Sequence, residues 1–451
     1  MDVPPSLFER YDRPVPRYTS YPTAPHFTTD VDAVRYRCWL AALPENETVS
    51  LYLHVPFCAE MCWYCGCHTK VAARYAPIAD YAATLKHEIA LVAGNIGRRV
   101  PVGRIHWGGG TPTQLAPEDF LGLMAALRAH FDVRPQAEIA IEADPRTLDD
   151  ARIRALAEAG VNRVSLGVQD LNDRVQKAIN RVQPFERVAA AVEGLREAGI
   201  GALNMDLMYG LPYQTEADIR RTADLAASLR PDRLAVFGYA HVPWMKSHQK
   251  MIPEDSLPDG RERLGQAHAA AAALSAHGYR SIGLDHFARP DDPLAQALDA
   301  GRLRRNFQGY TDDSAEILIG FGASAIGQLP QGYVQNAVPF HAYDQAIAAG
   351  RLAVHRGVAL APEDRLRRAV IERLMCDMKA DLARLARAHG FLEDIFAAER
   401  AALAPMAADG LAEISGSVVR IPEAGRFFLR TIAAVFDGYL GTGGARHSRP
   451  V

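Results

Sequence analysis

The feature that most limits the possible folds of this chain is a repeated alternation of short β-rich runs with longer helical patterns. The β-rich runs are VSLYLHV (49–55), RIHW (104–107), EIAIEA (138–143), RVSLGVQ (163–169), ALNMDLMYG (202–210) and RLAVFGY (233–239). Between them, apolar residues recur at three- and four-residue spacing, which is the period of a helix. Such alternation predicts an α/β fold with parallel strands, either an open doubly wound sheet or a full or partial β/α barrel. In both folds the functional residues lie at the carboxyl ends of the strands.

The regions on either side of this alternation have a different character. Residues 1–47 contain several prolines and the aromatic run RYTSYPTAPHF, and are predicted to be an extended N-terminal arm lying on the barrel. Residues 48–355 form the main domain, with a core over 48–245 and an extension over 246–355 in which the pattern weakens. Residues 356–451 contain helical runs and one short strand, which predict a small, mostly helical, winged-helix-like domain with a disordered tail, GTGGARHSRPV.

Composition excludes several classes of protein. The chain has 451 residues, of which 49% are hydrophobic and 23% charged, and its formal net charge is -3. No apolar run approaches the ~18 residues of a membrane-spanning helix, and the first residues lack the pattern of a secretory signal. The absence of a long basic run argues against a dedicated nucleic-acid binder. We therefore expect a cytoplasmic protein without a membrane span and without a nucleic-acid partner.

A cysteine cluster directly follows the first predicted strand. Four of the six cysteines fall within ten residues, at Cys58, Cys62, Cys65 and Cys67. Three thiolates on one short loop can bind three irons of a [4Fe-4S] cube and leave the fourth iron open to a small molecule. A disulfide and a structural zinc site with Cys67 or His68 as the fourth ligand are the alternatives. The two isolated cysteines, Cys38 and Cys376, are expected to be buried small apolar residues.

Polar and flexible residues follow the other strands. The run GGGTP (108–112) follows the second strand, where glycines allow a backbone to approach a ligand, although such turns are also common without one. Four later strands end in a polar side chain, at Glu142, Gln169, Asp206 and His241. Inside a barrel these side chains need partners or a ligand, so together they indicate a polar ligand that spans the sheet. Arg181 is predicted to lie in a loop. Two roles are open for it there: it binds a ligand carboxylate, or it is a solvated surface arginine.

Taken together, these motifs resemble those of a known family. CAEMCWYC resembles the C-x3-C-x2-C signature of the radical S-adenosylmethionine (SAM) superfamily, and GGGTP is similar to its segment that contacts the methionine amino group. More narrowly, the chain resembles the oxygen-independent coproporphyrinogen III oxidase family. That similarity covers nearly the whole chain, through PRYTSYPTAPHF, LYLHVPFCAEMCWYCGC, HWGGGTPT, IEADP, SLGVQD, NMDLMYGLP, RNFQGYT and GFGASAI. The fold it implies is α/β, a partial (β/α)6 radical SAM barrel with the arm and the C-terminal domain described above.

The resemblance also implies roles for individual positions. Cys58, Cys62 and Cys65 match the ligands of the cluster, whereas Cys67 matches a cysteine that does not bind it. The family binds two SAM molecules side by side. The first is expected at Tyr52, Gly109, Glu142 and Ile326, with Tyr52 and Glu142 acting in catalysis. The second is expected at Tyr64, Gly110, Thr111, Gln169, Arg181, Asp206 and Ala240, with Phe307 and Gln308 nearby.

The implied activity is the anaerobic oxidative decarboxylation of two propionates of coproporphyrinogen III to vinyl groups, giving protoporphyrinogen IX in haem biosynthesis. A 5′-deoxyadenosyl radical, made from SAM at the reduced cluster, abstracts a hydrogen from each propionate. The implied partners are the substrate and a low-potential one-electron donor of flavodoxin or ferredoxin type, and the chain is expected to be a monomer. Arg17, Arg304 and Arg305 are candidates by residue type for binding the polyanionic substrate.

Two other functions compete with this interpretation. The first is a haem chaperone that is similar to the oxidase but lacks its activity; such proteins usually carry an aromatic residue at the position of Cys67 and lack the RYTSYPTA arm. The second is a non-catalytic module in which zinc or a fully ligated cluster has a structural role.

Overall fold

The computed structural model describes Leu7 and residues 10–441, and the larger part of the disordered tail predicted at the C-terminus lies outside the described residues. Its centre is a run of six parallel strands in chain order. They are β1 Val49–Val55, β2 Pro101–Gly109, β3 Asp132–Ala143, β4 Arg163–Gln169, β5 Ala202–Tyr209 and β6 Arg233–Gly238. All six predicted strands are therefore confirmed, and the six-unit partial barrel is the fold of this region.

Helices connect the parallel strands and cover their outer face. Before and within the barrel they are α1 Ala33–Ala41, α2 Ala76–Ile96, α3 Pro117–His130, α4 Asp150–Glu158, α5 Asp173–Ala178, α6 Phe185–Glu197, α7 Glu216–Ser228 and α8 Gly260–Ala276. Polar side chains cap several of these helices, and α7 begins with a capping box in which Thr215 and Asp218 each satisfy the other's backbone N–H. The apolar faces of the helices and of the strands share one large core with fully buried Trp107, Phe131 and Phe321.

The sheet continues beyond the barrel strands on both sides, to twelve strands among the described residues. The additional strands and helices are β7 Arg280–Ile282, β8 His286–Ala288, α9 Pro293–Asp299, β9 Arg304–Asn306, β10 Gly309–Thr311, β11 Leu318–Phe321, β12 Ile326–Leu329, β13 Gly332–Asn336, α10 Phe340–Ala348 and β14 Val354–Ala359. Strand β11 pairs with β1 in parallel, β12 to β14 follow antiparallel, and β8 and β7 extend the other edge beside β6. The hairpin of β9 and β10 stands apart from this sheet.

The C-terminal residues form a small mostly helical unit with its own core. Its elements are α11 Pro362–Asp377, β15 Lys379–Asp381, α12 Leu382–Ala388, α13 Ala397–Ala402, α14 Ala404–Ala408, β16 Glu413–Ser415, β17 Val418–Arg420, a 3-10 turn Glu423–Phe428 and α15 Leu429–Ala434. The three short strands form an antiparallel sheet in the order β15, β17, β16. One of the helical runs predicted in this region, LEDIFAAERAAL (392–403), is helical only from Ala397, since the residues before it form turns.

The N-terminal arm packs in two places. Tyr11, Val15, Tyr18 and Tyr21 are buried in the core of the C-terminal unit. The segment around α1, in contrast, buries Trp39 in the core of the barrel. The arm therefore joins the two cores, instead of lying on the barrel alone.

Candidate active site

The cysteine loop leaves the carboxyl end of β1 and is held by hydrogen bonds from other segments. The Trp63 N–H donates to the Ile179 carbonyl at 3.0 Å, and the Asn180 side-chain amide donates to the Met61 carbonyl at 2.9 Å. A ring nitrogen of His248 lies 2.7 Å from the Cys65 carbonyl. The loop is thus fixed by the end of α5 on one side and by the segment around His248 on the other. Cys58 and Cys65 are half-buried, and Cys67 is exposed.

All three predicted cluster ligands are free thiols that accept hydrogen bonds. Their sulfur atoms lie 3.1 Å from Thr69 Oγ1 (Cys58), 3.5 Å from Arg181 Nη1 (Cys62) and 3.4 Å from the Cys67 N–H (Cys65). Cys67 lowers the pKa of Cys65, first through its thiol and then through its N–H. These donors stabilise thiolates, which are the form that binds iron. The donor set therefore fits a cluster bound by Cys58, Cys62 and Cys65.

The spacing of these side chains also bears on the alternatives. Among the described residues, no three His, Cys, Asp or Glu side chains converge closely enough to hold a single metal ion. A single zinc ion needs such convergence, whereas a cube lets each thiolate meet a different iron. No described cysteine forms a disulfide. One expectation about the other cysteines was wrong: Cys376 is buried, but Cys38 lies on the exposed face of α1, because the apolar side of that helix is formed by Trp39 and Leu40 instead.

The glycine run forms a close contact between the first two strand ends. The Gly110 N–H donates to the Val55 carbonyl at 2.9 Å, and a Cβ on Gly110 would stand 2.6 Å from the Phe57 carbonyl oxygen. Gly109 has a φ of 119°, which favours glycine. The hydroxyl of Thr111 lies 3.6 Å from the Cys58 sulfur. Only a run without side chains can therefore bring this loop next to the cysteine loop.

Glu142 and Tyr52 lie in one hydrogen-bonded group inside the barrel. One carboxylate oxygen of Glu142 is 3.2 Å from His106 Nε2, and the other accepts the Gly109 N–H at 3.3 Å. The Tyr52 ring stacks on His106, and its hydroxyl is 2.9 Å from His54 Nδ1. Burial raises the pKa of Tyr52 well above its usual value, so its hydroxyl is a hydrogen-bond donor or acceptor and not an anion. The two histidines were not identified in the sequence, although His106 has the same inward parity as Arg104 on β2.

Arg181 is a buried residue and not a solvated surface arginine. Its side chain donates to the Cys62 sulfur, to Asp144 at 3.1 Å and to the Gly167 carbonyl at 2.6 Å. Asp144 also binds Arg146, which reaches the same sulfur at 3.7 Å. Burial tends to raise the pKa of Asp144, but the two arginines outweigh burial and hold it below its usual value. The sequence pattern did not indicate Asp144 and Arg146, although both follow Glu142 at the end of the same strand.

Asp206, Glu142 and Gln308 line a common cavity within the barrel. The Ser165 hydroxyl donates to Asp206 at 3.3 Å. Burial, followed by repulsion from Glu142, raises the pKa of Asp206 to about 7. Gln169 ends β4 with a φ of 64°, and its amide lies above Gly167, beside Arg181. These residues are brought to the carboxyl ends of β3, β4 and β5, as the strand-end pattern predicted.

The remaining predicted positions lie around this group. The half-buried Tyr64 packs with Trp63 against a small cluster that includes Tyr239. Phe307 and Ile326 pack together against Phe27 and Tyr333, and neither lines the barrel cavity. Ala240 lies beyond β6, in the wall of a second cavity. His241 Nδ1 is 2.8 Å from the Tyr239 hydroxyl, so this nitrogen already has a structural partner, whereas the buried Nε2 has no hydrogen-bond partner among the described residues.

The floor of the barrel carries a network of ion pairs that the sequence analysis also missed. Arg104 binds Glu138 at 3.1 Å and Asp312 at 2.6 Å, and Arg163 binds Glu138 at 3.0 Å. Arg233 binds Asp292 at 2.7 Å. These side chains close the amino-terminal end of the barrel, two or more residues before the site on each strand.

Among the described residues, no helix is long and apolar enough to cross a membrane.

Known proteins are similar to this chain in sequence and in fold. Residues 52–226 match the radical SAM superfamily, and residues 360–428 match the HemN C-terminal domain. An oxygen-independent coproporphyrinogen III oxidase of Bradyrhizobium diazoefficiens is 54% identical over 97% of both chains. A protein of the same name from Paracoccus denitrificans is 47% identical over 95% of both chains.

A solved structure agrees over the whole length. It is coproporphyrinogen III oxidase (HemN) from Escherichia coli, reported as a radical SAM enzyme, with 39% identity and a TM-score of 0.91. The alignment covers 97% of this chain and 99% of that one. The similarity thus extends over nearly the whole of this chain and of its relatives. This chain belongs to the oxygen-independent coproporphyrinogen III oxidase family of the radical SAM superfamily.

Proposed function

We propose that this protein converts two propionates of coproporphyrinogen III to vinyl groups without oxygen, giving protoporphyrinogen IX in haem biosynthesis. The observation that carries the proposal is the position of three hydrogen-bonded thiols directly beside the polar carboxyl ends of a partial barrel, in a chain of this family. When bound, the cluster and SAM supply the radical that begins the reaction. The protein's residues bind, orient and enclose the reactants.

The side chains named above divide into two groups that support two SAM sites. Glu142, Gly109 and Tyr52 lie together beside the cysteine loop and offer a carboxylate and backbone groups to a ligand amine. Arg181, Gln169 and Asp206 lie along the next strands and offer a cation for a carboxylate and an acceptor for hydroxyls. The proposed sites are completed by Gly110, Thr111, Tyr64, Phe307, Gln308, Ile326 and Ala240.

Thiol chemistry at the loop supports the proposed ligands. Cys58, Cys62 and Cys65 bind the cluster, and Arg181 and Arg146 lie against the Cys62 sulfur. Cations and hydrogen bonds beside a thiolate favour its charged form and set the electronic properties of a bound cluster. Because the loop is half-exposed, an external low-potential donor of flavodoxin or ferredoxin type can approach it.

The same proposal covers the organisation of the chain. Residues 1–47 are the arm, 48–355 the radical SAM catalytic domain and 356–451 the C-terminal domain, in a monomeric cytoplasmic enzyme. The C-terminal domain holds the arm against the barrel, and the buried Tyr11, Tyr18 and Tyr21 support that role.

The test is an anaerobic assay of reconstituted, reduced protein with SAM and coproporphyrinogen III. We expect a product with two vinyl groups by mass spectrometry, together with CO2, methionine and 5′-deoxyadenosine. Protein that binds haem but forms no protoporphyrinogen would instead be a chaperone. In that case adding SAM would still change the paramagnetic spectrum of the cluster. A protein with a purely structural metal would show neither that change nor the product.

A further inference from the structure

A second cavity lies beside the barrel, between β6, α8, the C-terminal unit and the arm. It is an open cleft, and its empty space of about 1140 Å³ includes solvent at the mouth. Phe237 of β6 lines both this cavity and the barrel cavity, and Ala240 lies in its wall. The cleft therefore borders the proposed SAM site without belonging to it.

Arginine is the dominant charged residue of this cleft, which we call the arginine cavity. The five arginines that line it are Arg17, Arg263, Arg305, Arg426 and Arg430, against two carboxylates, Asp285 and Glu423. Arg426 already has a two-pronged pair with Glu423, at 2.8 Å for each bond. One carboxylate oxygen of Asp285, Oδ1, lies 2.7 Å from His286 Nδ1 and 4.0 Å from Arg305 Nη1. Among the described residues of the lining, arginines therefore outnumber carboxylates five to two.

Several of these guanidinium groups have hydrogen-bonding capacity to spare. The side chain of Arg305 is only 6% exposed, yet its Nε and Nη1 have no hydrogen-bond partner. The Nε of Arg263 also has none, while its Nη2 donates to the Tyr239 carbonyl at 2.8 Å. Arg17 makes no ion pair with any described residue. Buried donors without partners carry a free-energy cost, which an anionic ligand in the cavity would remove.

Repulsion among the arginines also favours an anionic ligand in this cavity. Burial, followed by the neighbouring charges of Arg17 and Arg305, lowers the pKa of Arg430 to about 10. Burial also lowers the pKa of Arg263. Arg430 is kept in place because it donates to the carbonyls of Val15 and Pro16, which precede Arg17 in the arm. The cations are thus crowded together by the fold and would be stabilised by carboxylates.

We infer that the arginine cavity binds propionate carboxylates of the porphyrinogen and so positions the macrocycle at the barrel, an inference that rests on the proposed function. Of the three arginines suspected from the sequence, Arg17 and Arg305 line this cavity. Arg304 is instead held by Glu316 at 2.7 Å and Glu372 at 3.0 Å, so it has no role in the site. Arg263 and Arg430 are the residues that the sequence did not indicate.

The test measures binding apart from turnover. Coproporphyrin III, the fluorescent oxidised form with the same four propionates, is titrated into the reconstituted full chain under anaerobic conditions. Arg17→Gln and Arg263→Gln are each expected to weaken binding by roughly tenfold, as loss of a charge-assisted hydrogen bond does. Arg263→Lys is expected to retain more affinity than Arg263→Gln. The matched controls Arg13→Gln in the arm and Arg261→Gln in α8 are exposed and should bind like the wild type.

The possible outcomes separate the two proposals. Should Arg263→Gln unfold, the exposed Arg17 still provides the test. Binding that is unchanged in both glutamine variants would overturn the inference even if the protein makes protoporphyrinogen. Tight, arginine-dependent binding without any decarboxylation would support the cavity and refute the oxidase function. The tetramethyl ester of coproporphyrin III lacks the charges, so substitutions that weaken its binding equally would also overturn the role of the arginines.

Discussion

At the floor of the barrel Arg233 lies 2.7 Å from Asp292 and 3.3 Å from Asp312, whereas at the carboxyl ends of neighbouring strands Glu142 contacts one histidine and one backbone N–H. The side chain of Asp292 is 3% exposed and that of Glu142 is 38% exposed. Inside the same barrel, buried ion pairs thus neutralise the charges at one end, whereas at the other end Glu142 is a half-exposed carboxylate without an arginine or lysine partner among the described residues. Buried ion pairs favour one geometry, while a carboxylate without a cationic partner is available to a ligand.

The largest effect should come from the cysteine loop, at the end available to ligands. We expect Cys62→Ala to lose the cluster and all turnover, because the cofactor supplies the chemistry. Iron analysis and the anaerobic assay measure both. The control is Cys38→Ala, whose exposed thiol contacts no part of the site. A Cys62→Ala protein with normal iron content would show that this cysteine is not a ligand.

A substitution at the floor of the barrel should lower the free energy of unfolding instead of cluster binding. Arg233→Met leaves the buried Asp292 without its main partner and removes the more distant of the two arginines that bind Asp312. The loss of a partner from a buried ion pair costs about 3–5 kcal/mol of the free energy of unfolding. Urea unfolding of the cluster-free protein measures it, with the exposed, carbonyl-bonded Arg196→Met as control. We expect the fraction that stays folded to bind the normal amount of iron. A variant that is as stable as the wild type but inactive would contradict the assignment of a stabilising role to the floor and a ligand-binding role to the carboxyl ends of the strands.

Glu142 should show the opposite behaviour to Arg233. Glu142→Ala is expected to lower turnover roughly 10- to 100-fold, since an ionic hydrogen bond to a ligand is lost, with little change in iron content. Arg181→Ala provides the contrast, because Arg181 contacts both Cys62 and Asp144 and its loss should also lower iron content. Equal loss of iron in both variants would mean that Glu142 supports the fold.

The last effect concerns pH. The folded-state pKa of Asp206, about 7, lies above the ordinary value near 3.8. Between these values the folded state binds a proton that the unfolded state has released, so stability falls as pH rises from about 4 to 7 and then levels off, by at most about 1.4 kcal/mol per pH unit. Urea unfolding of wild type and Asp206→Asn at pH 5 and 7.5 tests it. We expect a smaller pH difference in the variant, and an identical one would contradict the assignment.

The sequence was informative where the period of the strands was regular. VSLYLHV and RVSLGVQ coincide with β1 and β4, and the cysteine and glycine motifs lie at adjacent strand ends as expected. It was less informative in the extension, where ILIGFGASAIGQL contains β11 and β12. A Cβ at Gly320 would stand 2.8 Å from the Ile326 carbonyl oxygen, so glycine is used there for close packing and interrupts the alternation that identifies a strand.

Long-range pairing explains the other omissions. Arg104, Glu138 and Arg163 share inward parity with the site residues on their strands, but the partners Asp292 and Asp312 come from the extension. The burial of Arg181 likewise depends on Asp144, which is 37 positions away in the chain. Spacing within one segment cannot reveal which distant segment will neutralise a charge.

The junction between the arm and the C-terminal unit has a consequence for synthesis of the protein. Arg430 binds the carbonyls of Val15 and Pro16, and the Gly438 N–H donates to the Tyr21 hydroxyl. These residues of the arm therefore find their partners only 414 to 417 positions later in the chain. Until that segment has been synthesised, Arg17 has no fixed position, and a chain that stops before it cannot complete the arginine cavity even if its barrel has folded and its cysteines have bound iron.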